Sequence, residues 1–107
     1  MTTDFDMHID DTLMAIEEAI DESGEDIDYD TISGILTLEF PDGSKIIINR
    51  QSATSQLWIA ARSGGFHLDW VEDSEGWHCG TEQLDLLPLL NRLCSDQLGS
   101  TVVLELA

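Results

Sequence analysis

The apolar residues in the first third of the chain keep two different periods, and the switch between them limits the folds available. Phe5, Ile9, Leu13, Ile16 and Ile20 are spaced by four, four, three and four residues. That is one stripe of an α-helix, predicted over about 4–22 at roughly 3.6 residues per turn. After Ser23-Gly24 the period becomes two. Asp26-Ile27-Asp28-Tyr29-Asp30 alternates, the pattern of a strand with its carboxylates on one face.

The strand period continues through the middle of the chain. Residues 35–40 lead through Pro41-Asp42-Gly43 into 45–49, and 56–61 lead through Ser63-Gly64-Gly65 into 66–71. Residues 73–76 then turn into a short segment at Trp77-His78-Cys79. Pro, Asp and Gly mark tight turns, and connections this short join antiparallel neighbours. A second helix is expected over 86–98. With Asp85 as N-cap, Pro88 falls in the first turn, where its missing N–H does no harm, and Gly99 supplies the stop. Residues 101–106 read as a last strand. The expected architecture is one α+β domain over residues 1–107. It is a two-layer sandwich: an antiparallel sheet of about six or seven strands with both helices on one face.

The surfaces left over are loaded with acid. The chain carries 22 Asp+Glu against 4 Lys+Arg, a formal net charge of −18. Fourteen of the acids fall in residues 1–44, which contain no basic residue; Lys45, Arg50, Arg62 and Arg92 all lie beyond. On the first helix, Asp10, Glu17 and Asp21 share one flank, and Asp11, Glu18 and Glu22 lie opposite the apolar stripe. Like charges four apart cost a few tenths of a kcal/mol per pair. Asp21 and Glu22 also stand near the helix C-terminus, where the macrodipole favours cations. A bound cation would turn both penalties into attraction.

The ligands on offer are carboxylate oxygens with almost no nitrogen or sulfur, which suits hard cations: calcium, magnesium, manganese and ferric iron, with ferrous iron tolerated. Asp26, Asp28 and Asp30 imitate the opening of an EF-hand, but Thr31 stands where that loop needs Gly and Thr37 where it needs Glu. Without a cage, binding should be weak, exposed and multi-site. A plain solubilising or salt-adapted surface accounts for the same composition.

The charge excludes partners as well. Phosphate backbones and anionic membranes repel such a surface, so neither nucleic acid nor membrane is expected, whereas basic proteins and cations are. No apolar run approaches the roughly 18 residues of a transmembrane helix. The opening Met-Thr-Thr-Asp-Phe-Asp has no basic stretch of the kind that begins a signal or transit peptide. Cys79 and Cys94 make neither a metal spacing nor a disulfide framework, so a reduced, cytoplasmic protein is expected. Catalytic chemistry finds no footing. His8, His67 and His78 show no ligand spacing. His78 and Cys79, adjacent on a strand, point to opposite faces. Exposed acids have nothing to raise a pKa for acid catalysis.

One aromatic stands apart. If Leu57, Ile59 and Ala61 face the core, Trp58 falls on the polar side with Asn49, Gln51, His67 and Asp69. A Trp exposed among amide side chains has the make-up of an interface hot spot, and a surface Trp half-covered by its neighbours gives the same pattern. Trp70 and Trp77 fit the core or its rim.

Three segments in order, Gly43-Ser44-Lys45-Ile46-Ile47-Ile48-Asn49-Arg50-Gln51, Gln56-Leu57-Trp58-Ile59-Ala60 and Gly64-Gly65-Phe66-His67-Leu68-Asp69, resemble the bacterial frataxins (CyaY type). The acidic first helix and the Asp-Ile-Asp strand ahead of Gly34-Ile35-Leu36-Thr37 match too. The chain departs from the pattern at Ser52-Ala53, where the family often has an acidic residue and proline. It departs again at Leu86-Leu87-Pro88, where the second helix usually opens with aromatics. The resemblance implies weak, exchangeable binding of ferrous or ferric iron on an acidic ridge. By position the ridge would be Glu17, Glu18, Asp21, Glu22, Asp26, Asp28 and Asp30, with Asp10 and Asp11 as outlying members. It also implies docking on the cysteine desulfurase and the scaffold protein of iron–sulfur cluster assembly, through Glu18 and Glu22 and through the sheet-face residues Asn49, Gln51, Gln56 and Trp58. The implied role is that of a monomeric accessory protein, an iron donor or regulator rather than an enzyme. Ferroxidase or iron-storage activity on metal-driven assembly is the alternative.

Overall fold

In the computed structural model, which describes residues 4–105, the apolar stripe forms a 20-residue helix, α1 (Asp4–Ser23). Ile9, Leu13, Ile16 and Ile20 are buried, and Phe5 packs at the edge of the same cluster. The helix ends on a local device. The Ser23 hydroxyl donates to the Ile20 carbonyl at 2.7 Å and accepts the Glu25 N–H at 3.1 Å, and Gly24 turns the chain at φ +69°.

Seven strands follow: β1 (Asp28–Ile32), β2 (Ile35–Glu39), β3 (Lys45–Gln51), β4 (Gln56–Ala61), β5 (Gly64–Val71), β6 (Gly76–Cys79) and β7 (Leu84–Asp85), and then α2 (Leu86–Leu98). Each strand pairs antiparallel with the next, so the sheet is a meander in sequence order. Its register separates two faces. Leu36, Ile48, Ile59 and Phe66 form one buried row across four strands. They join the apolar sides of both helices in a single core, where each buried aliphatic side chain contributes roughly 1.5–3 kcal/mol. Both helices therefore cover one face, and the alternate residues of every strand are left on the other.

Three details differ from the sequence-based expectation. The first strand begins at Asp28 rather than Asp26, because Ile27 turns into the core (6% exposed) and its N–H closes a turn on the Glu25 carbonyl. A two-residue strand, β7, adds an edge just ahead of α2. Residues 101–105 are not a strand. The backbone N–H groups of Val102 and Leu104 go instead to side chains of α2, Ser95 Oγ and Asn91 Oδ1, each at 2.8 Å. That holds Val102 and Leu104 in the core at 1% exposure. Leu106 lies outside the described residues.

Helix α2 has the bounds its Pro and Gly demand. Gly99 closes it in the left-handed conformation (φ 81°), its N–H on the Ser95 carbonyl. Asp85 holds the N-cap position with extended backbone but makes no side-chain cap bond; its carboxylate meets His78 Nδ1 at 2.8 Å. Gln97 is a buried polar residue (4% exposed) that the apolar pattern did not flag. Its amide oxygen accepts the Arg62 N–H at 3.0 Å, and its NH2 donates to Ser44 Oγ and to the Lys45 carbonyl. It thereby joins α2 to two inter-strand connections.

Candidate functional site

The candidate acids of α1 and β1 spread over more than one surface around the β1 edge of the sheet. Glu17 and Asp21 lean from α1 toward β1, where the strand's alternation turns Tyr29 and Thr31 to the helix side. Thr31 Oγ1 donates to Glu17, and the Tyr29 hydroxyl donates to Asp21 at 2.7 Å. That hydrogen bond, reinforced by the Asp21 charge, raises the Tyr29 phenol above its ordinary pKa. Asp11, Glu18 and Glu22 form the outer surface of α1 and are exposed.

Asp28 and Asp30 point the other way. They sit opposite Glu39 and Thr37 in the sheet register and share a surface with Lys45. Both lie around the sheet edge from the helix acids. All five residues of β1 are exposed, and β1 is the edge strand. Asp26 precedes the strand and is exposed too.

The three arginines are spent elsewhere. Arg50 binds Asp6 at 3.0 Å and the outlying candidate Asp10 at 2.9 Å, tying the start of α1 to β3. Arg62 reaches Asp42 and Asp96, and Arg92 reaches Glu82. The hydroxyl and N–H of Ser44, together with Arg62, hold the Asp42 carboxyl below the usual range. Among the described residues no Lys or Arg pairs with Asp11, Glu17, Glu18, Asp21, Glu22, Asp26, Asp28 or Asp30. No group of three or more His, Cys, Asp or Glu among the described residues is arranged to hold a metal. The donor set is all oxygen and open to water, so it suits loose, exchangeable association of a hard cation rather than chelation.

On the open face, Asn49 and Trp58 are cross-strand partners, as are Gln51 and Gln56, so the register brings all four together. Trp58 is half-buried rather than exposed. His67, its partner on β5, stacks on the indole with centroids 4.3 Å apart and planes 13° apart. The indole N–H donates to Gln56 Oε1 at 3.0 Å, and Gln56 Nε2 donates in turn to Asp69 at 3.0 Å. Trp58 is thus held by His67 on its face and by Gln56 on its N–H, with Asp69 fixing Gln56 in turn, the preorganisation that makes a good anchor. Pattern reading placed His67 beside Trp58 without showing that it fixes the ring; the directly opposite position on the neighbouring strand is the signal for such stacks.

The remaining aromatics and thiols are structural. Trp77 is buried, with its N–H on Thr12 Oγ1 at 2.9 Å. Trp70 stacks on His8 at 3.6 Å. Burial pushes the Cys94 thiol up to about 12, which removes it as a nucleophile at neutral pH.

Comparison with known proteins converges on one group. The frataxin-like domain model matches residues 1–100. An iron–sulfur cluster assembly protein CyaY from Vibrio cholerae is 47% identical over 92 residues, 86% of each chain. One from Photobacterium profundum is 44% identical over 100 residues, covering 94% of this chain and 93% of its own. A solved frataxin from Psychromonas ingrahamii superposes with a TM-score of 0.84 at 36% identity, over 92% of both chains. A trimeric yeast frataxin complexed with ferrous shares the fold alone, with a TM-score of 0.69 at 24% identity. With a family model spanning most of its length and relatives this similar, the chain belongs to the frataxin-like family.

Proposed function

We propose that the protein is an accessory of iron–sulfur cluster assembly. It carries ferrous or ferric iron loosely on the α1–β1 edge and docks by charge on the cysteine desulfurase as iron donor or regulator. The names of its bacterial relatives support the assembly role. The observation that carries the rest is the uncompensated edge: eight carboxylates on α1, on β1 and between them that pair with no Lys or Arg among the described residues, in a chain of net charge −18. Iron is the cargo, and the all-oxygen, solvent-open donors make it exchangeable. The same charges attract a basic surface of the desulfurase, with Glu18 and Glu22 foremost because they project away from the sheet. Asn49, Gln51, Gln56 and Trp58 form a second contact, for the scaffold protein. In this reading the protein works in the cytoplasm as a monomer, as the resemblance to bacterial frataxins implies.

The test is an anaerobic titration of ferrous iron followed by melting temperature, with sodium at matched ionic strength and calcium as controls. Air is then admitted while oxygen consumption is recorded. Iron should raise the melting temperature well beyond the sodium control, with oxygen uptake no faster than that of free iron. A response that follows ionic strength alone refutes iron carriage. Oxygen uptake accelerated by the monomer points instead to ferroxidase activity.

A further inference from the structure

We propose that the open face carries an aliphatic centre, Ile35 and Ile47 flanked by Ile32, that receives an apolar side chain of the docked protein bordered by Lys or Arg. The inference rests on the reading of this face as the scaffold contact and adds to it residues of a different chemistry. Ile32, Ile35 and Ile47 are 65%, 43% and 39% exposed on a face that no helix covers. The register aligns Ile32, Ile35, Asn49, Trp58 and His67 in one row across five strands. The adjacent row runs Thr37, Ile47, Ala60, Gly65. Ala60 and Gly65 bring almost no bulk beside Ile47 and beside the Trp58–His67 stack. An aliphatic patch continuous with a rigid indole and edged by polar groups has the anatomy of an interface core with its rim.

Charge selects the occupant. Asp28, Asp30 and Glu39 border the patch on the β1 side and Asp69 on the β5 side. Lys45 is the sole Lys or Arg that the register places on this face among the described residues. A second copy of the chain would set like charges against one another, and an anionic lipid surface would be repelled. A partner that is apolar in the middle and basic around it meets both features.

The probe is the iron–sulfur scaffold protein, titrated against wild type, Trp58→Ala, an Ile35→Thr/Ile47→Thr double variant and Val103→Thr. Threonine keeps the β-branch that suits a strand. Val103, 68% exposed on the C-terminal segment, supplies an aliphatic loss away from the patch. Melting curves accompany each variant, and Ile47→Thr alone carries the test where the double variant melts below the assay temperature. The double variant should bind about tenfold weaker for each isoleucine lost, while Val103→Thr binds as wild type. If the isoleucine variants keep wild-type affinity while Trp58→Ala weakens binding, the aliphatic centre is wrong and the docking reading survives. If Trp58→Ala and the isoleucine variants all bind as wild type, the docking reading falls and the inference with it.

Discussion

Reversing two charges, Glu18→Lys with Glu22→Lys, should move stability and binding in opposite directions. Both residues are exposed, and among the described residues neither carboxylate takes part in a hydrogen bond or ion pair. The last turn of α1 contains no basic residue, so Glu22 stands against the helix dipole. Replacing a misplaced anion there by a cation is a swing of about 1 kcal/mol, half from the penalty removed and half from the attraction gained. The new ammonium also faces Glu105, which shares a small surface depression with Glu22. At position 18, one like-charge pair with residue 22 replaces another, while Asp21 three residues on gains a partner worth a few tenths of a kcal/mol. The sum is a gain of about 1 kcal/mol, or roughly 4 °C in melting temperature for a domain of this size. Binding to the desulfurase should fall at least about a hundredfold at low salt, because two attractions become two repulsions. Calorimetric melting and a titration of the desulfurase read the two effects on the same preparation. Unchanged affinity would refute charge docking. A lowered melting temperature would refute the argument that these acids are held at a cost to the fold.

Other substitutions probe the frame that presents the site. Gln97→Leu removes the partner of the Arg62 N–H and the Lys45 carbonyl, and should cost about 2–3 kcal/mol in urea unfolding; a loss below about 1 kcal/mol would show that water replaces it freely. Gly34→Ala should cost about 1–2 kcal/mol by the same measurement, since Gly34 is left-handed at φ +78° and a Cβ would stand 2.9 Å from the Arg50 guanidinium. Cys94 should resist iodoacetamide at pH 8 in the folded protein and react once urea unfolds it. Its thiol is raised by burial to about 12, so the stability it contributes is complete below its unfolded value near 8.5 and drains away as pH rises toward 12. Fast alkylation without denaturant would contradict that burial.

Much of this architecture could be read from spacing alone. The five-residue stripe located α1, and Pro88 with Gly99 fixed α2 to its observed ends, because local chemistry decides where a helix starts and stops. The strands followed from alternation and the first turn from Pro41-Asp42-Gly43; Gly64-Gly65, read as a turn, instead open β5 opposite Ala61 and Ala60, and the chain reverses at Arg62-Ser63. What stayed hidden depends on which element lies opposite which. Residues 101–105 have the alternation of a strand, yet the side chains of Ser95 and Asn91 take their N–H groups first. Asp28 and Asp30 share a face, as their spacing requires, but nothing local shows that this face is turned away from Glu17 and Asp21. Tyr29 and Thr31, the hydroxyl-bearing residues between them, are the side chains that meet α1. Gln97 sits among leucines on an apolar helix face, and only the arrival of Ser44, Lys45 and Arg62 makes its burial affordable.

The salt dependence of binding to the cysteine desulfurase tests the acidic edge most directly. Isothermal titrations of the intact protein from about 50 to 300 mM sodium chloride span Debye lengths from roughly 14 Å down to 6 Å. Affinity should fall steeply across that series in the wild type and hardly change in the Glu18→Lys/Glu22→Lys variant. An affinity that stays level in the wild type would mean that the acidic edge is not what the partner recognises.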